Sequence, residues 1–207
     1  MRPTKVIDFA VSELPFLRKI KWRTVRSLAI IRVMKHTRLF VAVVLFTMVF
    51  CSLTSAAKTV VEMKDAQGKS VGTISLSESG TKGVVLDIKV HDLAPGKHGI
   101  HFHQNAKCDG PDFKSAGPHF NPDGKKHGLE SPEGHHAGDM LNLIVKPDGK
   151  ATMKLTDADV NLKDAIDSHS LFSNGGTAVI IHAKEDDMKT DPSGNSGDRI
   201  ACGVVTK

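Results

Sequence analysis

Tyrosine is absent from this chain and tryptophan occurs once, at Trp22, so everything C-terminal to it is almost transparent at 280 nm. Cysteine is scarce as well. Cys51, Cys108 and Cys202 are the only three, and no CxxC spacing occurs, which excludes a paired-thiol module for passing metals on. No segment sustains a helical period; "NLKDAI" is the nearest and is too short to matter, which excludes a helical bundle. No internal repeat stands out. The longest apolar run, from Leu39 to about Leu53, falls short of the about 20 residues that cross a bilayer.

What is present is unevenly placed. The net charge of +5 hides a division: residues 1–38 hold 10 of the 28 Lys and Arg with only Asp8 and Glu13 opposing them, and the remainder is net −3. From Met34 the chain reads "MKHTRLFVAVVLFTMVFCSLTSAAK", a basic start, an apolar run and then small residues. That is the layout of a secretory signal peptide, with cleavage after Ala56 or Ala57; a retained anchor is the alternative. Residues 1–33 make a long leader, and Met34 is an alternative start. Phe50 is too bulky for lipoprotein processing at Cys51. Residues 1–57 therefore read as basic leader and signal peptide, and 58–207 as one domain. With the basic leader removed no nucleic-acid role remains, and no lasting membrane association is expected unless the leader is retained. The expected location is exported, periplasmic or secreted. Cys108 and Cys202 are then an even pair in an oxidising compartment, for which a disulfide is the default and two buried thiols the alternative. A loop of that length, once closed, stabilises the fold by about 4 to 5 kcal/mol on the chain-entropy account.

The pattern after residue 57 is all-β. "KTVVEMKDAQGKSVGTISLSE" reads as two strands about a turn, and "GVVLDIKVHDL" alternates before the break "APGKHG". "MLNLIVKPDGKATMKLT" reads as a hairpin about "PDG", followed by the strands "TAVIIHA" and "RIACGVV". Short strands separated by turn signals imply a sandwich or barrel. Two long stretches rich in Gly and Pro, roughly 104–138 and 183–198, interrupt them, and loops of that length are usually functional.

The histidines say what those loops do. "HGIHFHQ" places His101 and His103 two apart, a spacing that splits them around a helix but puts both on one face of a strand. His182 ends another strand and completes a nitrogen-rich set suited to copper. The first loop supplies His119, His127, His136 and Asp139, three imidazoles and a carboxylate suited to tetrahedral zinc. Its only aromatics are Phe113 and Phe120, so a bound ion would give the loop the order that packing cannot.

The motifs "HGIHFH", "SAGPHFNP", "HAGD", "VIIHAKEDD" and "GDRIACGVV", in this order over residues 58–207, resemble the copper/zinc superoxide dismutases. The insertion "DGPDFK" after Cys108 and the short stretch 183–198 resemble bacterial, exported members. The resemblance implies an eight-stranded Greek-key β-barrel or sandwich with two long functional loops. It implies copper on His101, His103, His119 and His182, and zinc on His119, His127, His136 and Asp139, with the deprotonated His119 ring bridging both ions. Asp186 is implied as the carboxylate linking the far nitrogens of His101 and His127. Arg199 is implied to attract and position the anion beside copper, and Cys108–Cys202 to brace the first loop. The reaction implied is dismutation of two superoxide anions to oxygen and hydrogen peroxide, with His119 taking and giving a proton, in a monomer or a homodimer. A non-catalytic member of the same fold is the competing class.

Other residues read more plainly. His91 and His169 are surface residues, and His98 resembles the family's structural histidine. His135 sits one position from His136, and "HAGD" favours the latter. Met140, Met153 and Met188 share no cluster and read as fillers.

Overall fold

The computed structural model describes residues 58–207, and the leader and signal peptide expected over 1–57 lie outside the described residues. The described chain is built of strands: β1 Lys58–Asp65, β2 Ser70–Glu78, β3 Val84–Val90, β4 Gly96–His98, β5 Ile100–His103, β6 Leu143–Val145, β7 Ala151–Asp157, β8 Thr177–His182 and β9 Arg199–Val205. Seven of them form one antiparallel sheet in the order β5-β8-β9-β1-β2-β3-β7, and β4 pairs with β6 in a two-stranded ribbon. Only Gly99 separates β4 from β5, so one run of chain serves both sheets, and counting it once gives the eight strands expected. The ribbon joins the two edges of the curled sheet. It continues into edge strand β5 through Gly99, and into edge strand β7 through the turn closed by Lys146 N–H to Lys150 O. β7 returns beside β3 after the β4–β5 and β6 strands, which is the Greek-key connection.

One expectation changes in detail. The turn at "PDG" is present, but β6 and β7 do not pair along their length; β6 pairs with β4 and β7 with β3. The turn is a corner between sheets. The three residues of β6 are enough for the ribbon, whereas β7 runs the full length of β3.

Alternation places the core. Val84, Leu86, Ile88 and Val90 of β3, Ile74 and Leu76 of β2, Val61 and Met63 of β1, and Ile100 and Phe102 of β5 pack into one interior cluster. On β1 and β7 the intervening residues, such as Glu62, Lys64, Thr152 and Lys154, face out and are exposed. β5 and β8 differ: every residue in both is buried. Their outer face carries a second, smaller apolar cluster in which Ala178, Ile180 and Cys202 meet Phe113 and Ala116 of the first long loop. This half of the sheet is covered on both faces, and the outward-pointing side chains of β5 are His101 and His103.

Candidate metal centre

Local pairing delivers the remaining groups to those two histidines. One edge of β5 pairs with β8, setting His101 opposite Ile180, and alternation along β8 puts His182 on the same face as Ile180. The other edge of β5 takes two loop segments: Phe120 N–H donates to Phe102 O (2.8 Å) and Phe102 N–H to Gly138 O (3.0 Å). Isolated bridges then set His119 beside His103 and Asp139 beside His101. The rings of His101 and His119 stack with centroids 4.1 Å apart.

The ring nitrogens divide cleanly. His101 Nε2 donates to Asp186 Oδ2 (2.7 Å), His103 Nδ1 to Gly117 O (2.8 Å) and His182 Nδ1 to Gly197 O (3.2 Å). His119 Nδ1 lies 2.9 Å from Asp139 Oδ1. The other nitrogen of each ring, His101 Nδ1, His103 Nε2, His119 Nε2 and His182 Nε2, is buried and has no partner. These four residues offer ligand atoms within 4.8 Å of one another. A buried polar atom left unpaired costs about 1 to 3 kcal/mol, so four aimed together make sense as ligands for an ion. An all-imidazole set fits copper.

The second set is tighter. Asp139 Oδ1 lies 2.9 Å from His119 Nδ1, 3.2 Å from His127 Nδ1 and 3.3 Å from His136 Nδ1, and the His119 and His136 Nδ1 atoms are 3.4 Å apart. Bonds of about 2.0 to 2.1 Å to a tetrahedral zinc put ligand atoms about 3.3 Å apart, so these donors fit such an ion. Asp139 Oδ2 is held by the backbone N–H groups of Gly128 (2.8 Å) and His136 (3.1 Å). His119 belongs to both sets through its two nitrogens.

Asp186 ties the sets together from behind, accepting from His101 Nε2 and, at 3.0 Å, from His127 Nε2. Burial pushes His119 and His182 down to about 3 and lowers His101 and His103, so these rings are neutral near pH 7, as metal ligands must be. Burial acts in the same sense on His127, but hydrogen bonds to Asp139 and Asp186 outweigh it and raise the ring to about 9. Asp139 and Asp186 are held well below the usual carboxylate range, against burial, by their histidine partners. The field at this point favours a cation.

A family profile described as "Copper/zinc superoxide dismutase (SODC)" matches residues 70–205. The chain belongs to the copper/zinc superoxide dismutase family. It is 43% identical over 155 residues to Superoxide dismutase [Cu-Zn] 1 of Aquifex aeolicus, covering 74% of this chain and 90% of that one. It is 42% identical to the superoxide dismutase-like protein YojM of Bacillus subtilis, over 73% of this chain and 78% of that one. Among solved structures it superposes on a SOD-like protein from Bacillus subtilis with TM-score 0.69 at 42% identity, covering 72% and 99% of the two chains. The Cu/Zn superoxide dismutase from Brucella abortus gives 0.58 at 31% identity, with the same coverage.

In this dismutase-family chain the disulfide expected from cysteine count is formed between Cys108 and Cys202, fastening the first loop to β9. Arg199, at the start of β9, donates from Nη1 to Phe113 O and from Nη2 to Gly117 O, both at 2.8 Å. Gly117 O also accepts from His103, so one carbonyl separates the guanidinium from a ligand ring. Arg199 is half-buried, and it opens on a recess of about 480 Å³.

His136 reaches Asp139, whereas its neighbour His135 turns out to pair with Asp159 at 3.0 Å. His98 is buried between two carbonyls, His182 O (2.7 Å) and Ala94 O (2.8 Å), and ties a loop to the barrel. His91 is exposed, and His169 meets Asp159 O and Asp123 near the surface. Met140 is core, and Met153 packs against it. Sequence reasoning missed Asn142, whose amide donates to Asp186 O and accepts from Asp186 N–H, both at 2.9 Å. It missed Gly194 as well, at φ +63°, where a Cβ would strike Asp186 Oδ1. Neither stands in a histidine motif, so spacing could not find them.

Proposed function

We propose that this chain dismutates superoxide, binding copper at His101, His103, His119 and His182 and zinc at His119, His127, His136 and Asp139. The observation that carries the reading is the four buried, partnerless imidazole nitrogens aimed together beside an arginine. Copper would supply one-electron redox chemistry, oxidising one superoxide to oxygen and reducing the next to peroxide, while zinc would supply fixed charge and no redox. The protein's own groups do the rest. Arg199 attracts and orients a small anion, a local effect that does not depend on the net charge of the domain. Asp186 holds the tautomers of His101 and His127, leaving their Nδ1 atoms free to ligate. His119 Nε2 holds one of the two protons that hydrogen peroxide requires, water giving the other.

Residues 1–57 are proposed to be a leader and signal peptide that export the domain 58–207 to a periplasm or beyond, where it acts as monomer or homodimer. A non-catalytic member of the family is a second reading, prompted by a relative named only dismutase-like and by a SOD-like protein whose solved variants carry histidine in place of a proline, or of a tyrosine and a proline. The complete histidine set here favours the enzyme. Metal analysis of the purified protein, with a dismutation assay before and after chelation, tests this: about one copper and one zinc per chain with activity lost on chelation is expected, and activity unaffected by chelation would refute it. Arg199→Ala should slow turnover and weaken its salt dependence with copper retained; unchanged kinetics at low salt would remove the role assigned to this residue.

A further inference from the structure

Two of the histidines outside the metal centre meet around one residue, Asp159, in the stretch between β7 and β8. His135, one position before His136, donates from Nε2 to Asp159 Oδ2 at 3.0 Å. His169 donates from Nδ1 to Asp159 O at 2.7 Å, and its Nε2 lies 3.2 Å from Asp123 Oδ1. Asp123 and His135 both belong to the first long loop, on either side of His127 in the chain. The series Asp123, His169, Asp159, His135 therefore grips that loop at two points from one neighbouring segment. The side it grips from is firm: Val160 and Leu171 are buried in the core, and between them Asn161 N–H donates to His169 O (3.0 Å) and Leu171 N–H to Asn161 O (2.9 Å).

We infer that Asp123, His135, Asp159 and His169 form a latch that clamps the outer side of the first long loop to the segment between β7 and β8 and slows the escape of the ion held on that loop. For the identity of that ion the inference rests on the zinc reading above. The chemistry of His169 sets the pH range of the latch. A carbonyl and an ionised carboxylate can only accept, so both bonds of His169 are made together only when its ring carries two N–H groups, as imidazolium. The carbonyl of Asp159 and, after it, the charge of Asp123 favour that form over the weak opposition of burial and raise the ring above its ordinary value, and Asp167 adds to them. Glu78 and Lys163 are the other charged groups at the recess around His169. The arm to Asp123 is thus closed at low pH and opens as pH rises through the raised pKa of His169. Each ion pair is part-exposed, where a single pair holds little, but the two act on the same loop.

The test follows zinc release from the metal-loaded protein by capture with an excess of a coloured chelator, and the His169 ring by nitrogen-15 NMR across pH with copper reduced. At about pH 6, Asp123→Asn and Asp159→Ala should each release zinc about two- to fivefold faster than wild type, and the double variant about tenfold faster. At about pH 9 the wild-type arm to Asp123 is already open, so Asp123→Asn should match wild type there. His169→Arg, a cation at both values, should match wild type at the lower pH and release more slowly than wild type at the higher. Asp123→Asn should also lower the pKa of His169, a shift that general loosening of the loop would not produce. Release at about pH 6 no faster than wild type in both single variants, or a His169 pKa unmoved by Asp123→Asn, would overturn the inference. If the chain takes up no zinc while Asp123→Asn still lowers the pKa of His169, the zinc reading fails and the clamp between the two segments stands.

Discussion

The two halves of the metal centre are held by different parts of the chain. Three of the four residues in the all-imidazole set, His101, His103 and His182, sit on strands whose other side chains pack into the core, so their positions are set by the sheet. In the set containing Asp139, every donor lies on the long loop between β5 and β6, which is anchored by two bridges to β5, the Cys108–Cys202 bond and hydrogen bonds from His127 to Asp186 and Asp191. The nitrogens of the strand-borne set converge without pairing with one another, whereas in the loop-borne set Asp139 Oδ1 lies 2.9 to 3.3 Å from all three histidines. A rigid scaffold keeps His101, His103 and His182 in place through a change of charge while His119 Nε2 carries a proton, and an ion that only binds can order a loop.

The comparison breaks most severely at the one residue common to both sets. His119→Ala should lower both copper and zinc occupancy and reduce dismutation by at least about 100-fold, whereas His182→Ala should lose copper and activity with zinc retained. Metal content of the two variants measured side by side checks this, and equal zinc loss in both would deny the division. Next, Asp186→Ala frees the back nitrogens of one ring from each set, and zinc affinity by chelator competition should fall about 10- to 100-fold. Gly194→Ala should copy that loss, because its methyl group occupies the space of the Asp186 carboxylate. Asn142→Ala leaves the carboxylate in place and loosens only its backbone, so an affinity loss at or below the lower end of that range is expected, with little change in the copper spectrum.

The smallest effect lies away from both ions. Asp157, at the end of β7, is buried with Oδ2 unpaired, and burial raises its carboxyl to about 8. The folded state therefore binds a proton that the unfolded state releases near pH 4. This contribution to stability is greatest below pH 4 and is lost as pH rises through about 8. Asp157→Asn, which stays neutral, should melt higher than wild type at pH 8 by a margin that vanishes by pH 4. Parallel melting curves at all pH values would contradict this.

Most of the fold was legible because its strands alternate or run apolar between turn residues, and the seven longer or apolar runs fall where "TVVEM", "TISL", "VVLDIKV", "HFH", "ATMKL", "AVIIH" and "IACGVV" stand. β4 was not, because "GKH" sits inside what reads as a Gly/Pro break and owes its extended form to pairing with β6. The stretch between β7 and β8 gave no signal either; turns and hydrogen bonds such as Thr177 Oγ1 to Leu171 O order it, with no periodicity to detect. The histidines that meet were legible from the i, i+2 spacing and from the family motifs. Their backbone partners Gly117 O and Gly197 O, and Asn142, which holds the backbone of Asp186, act through main-chain atoms or a lone amide, and only folding brings them near.

The central claim is that one imidazole is shared between two different ions. Crystals of the fully loaded protein measured by anomalous scattering at the copper and zinc edges test it directly. The account predicts a copper peak among His101, His103, His119 and His182 and a zinc peak among His119, His127, His136 and Asp139, each bonded to its own nitrogen of His119. A single ion at this centre, or two ions with His119 bound to only one, would contradict it.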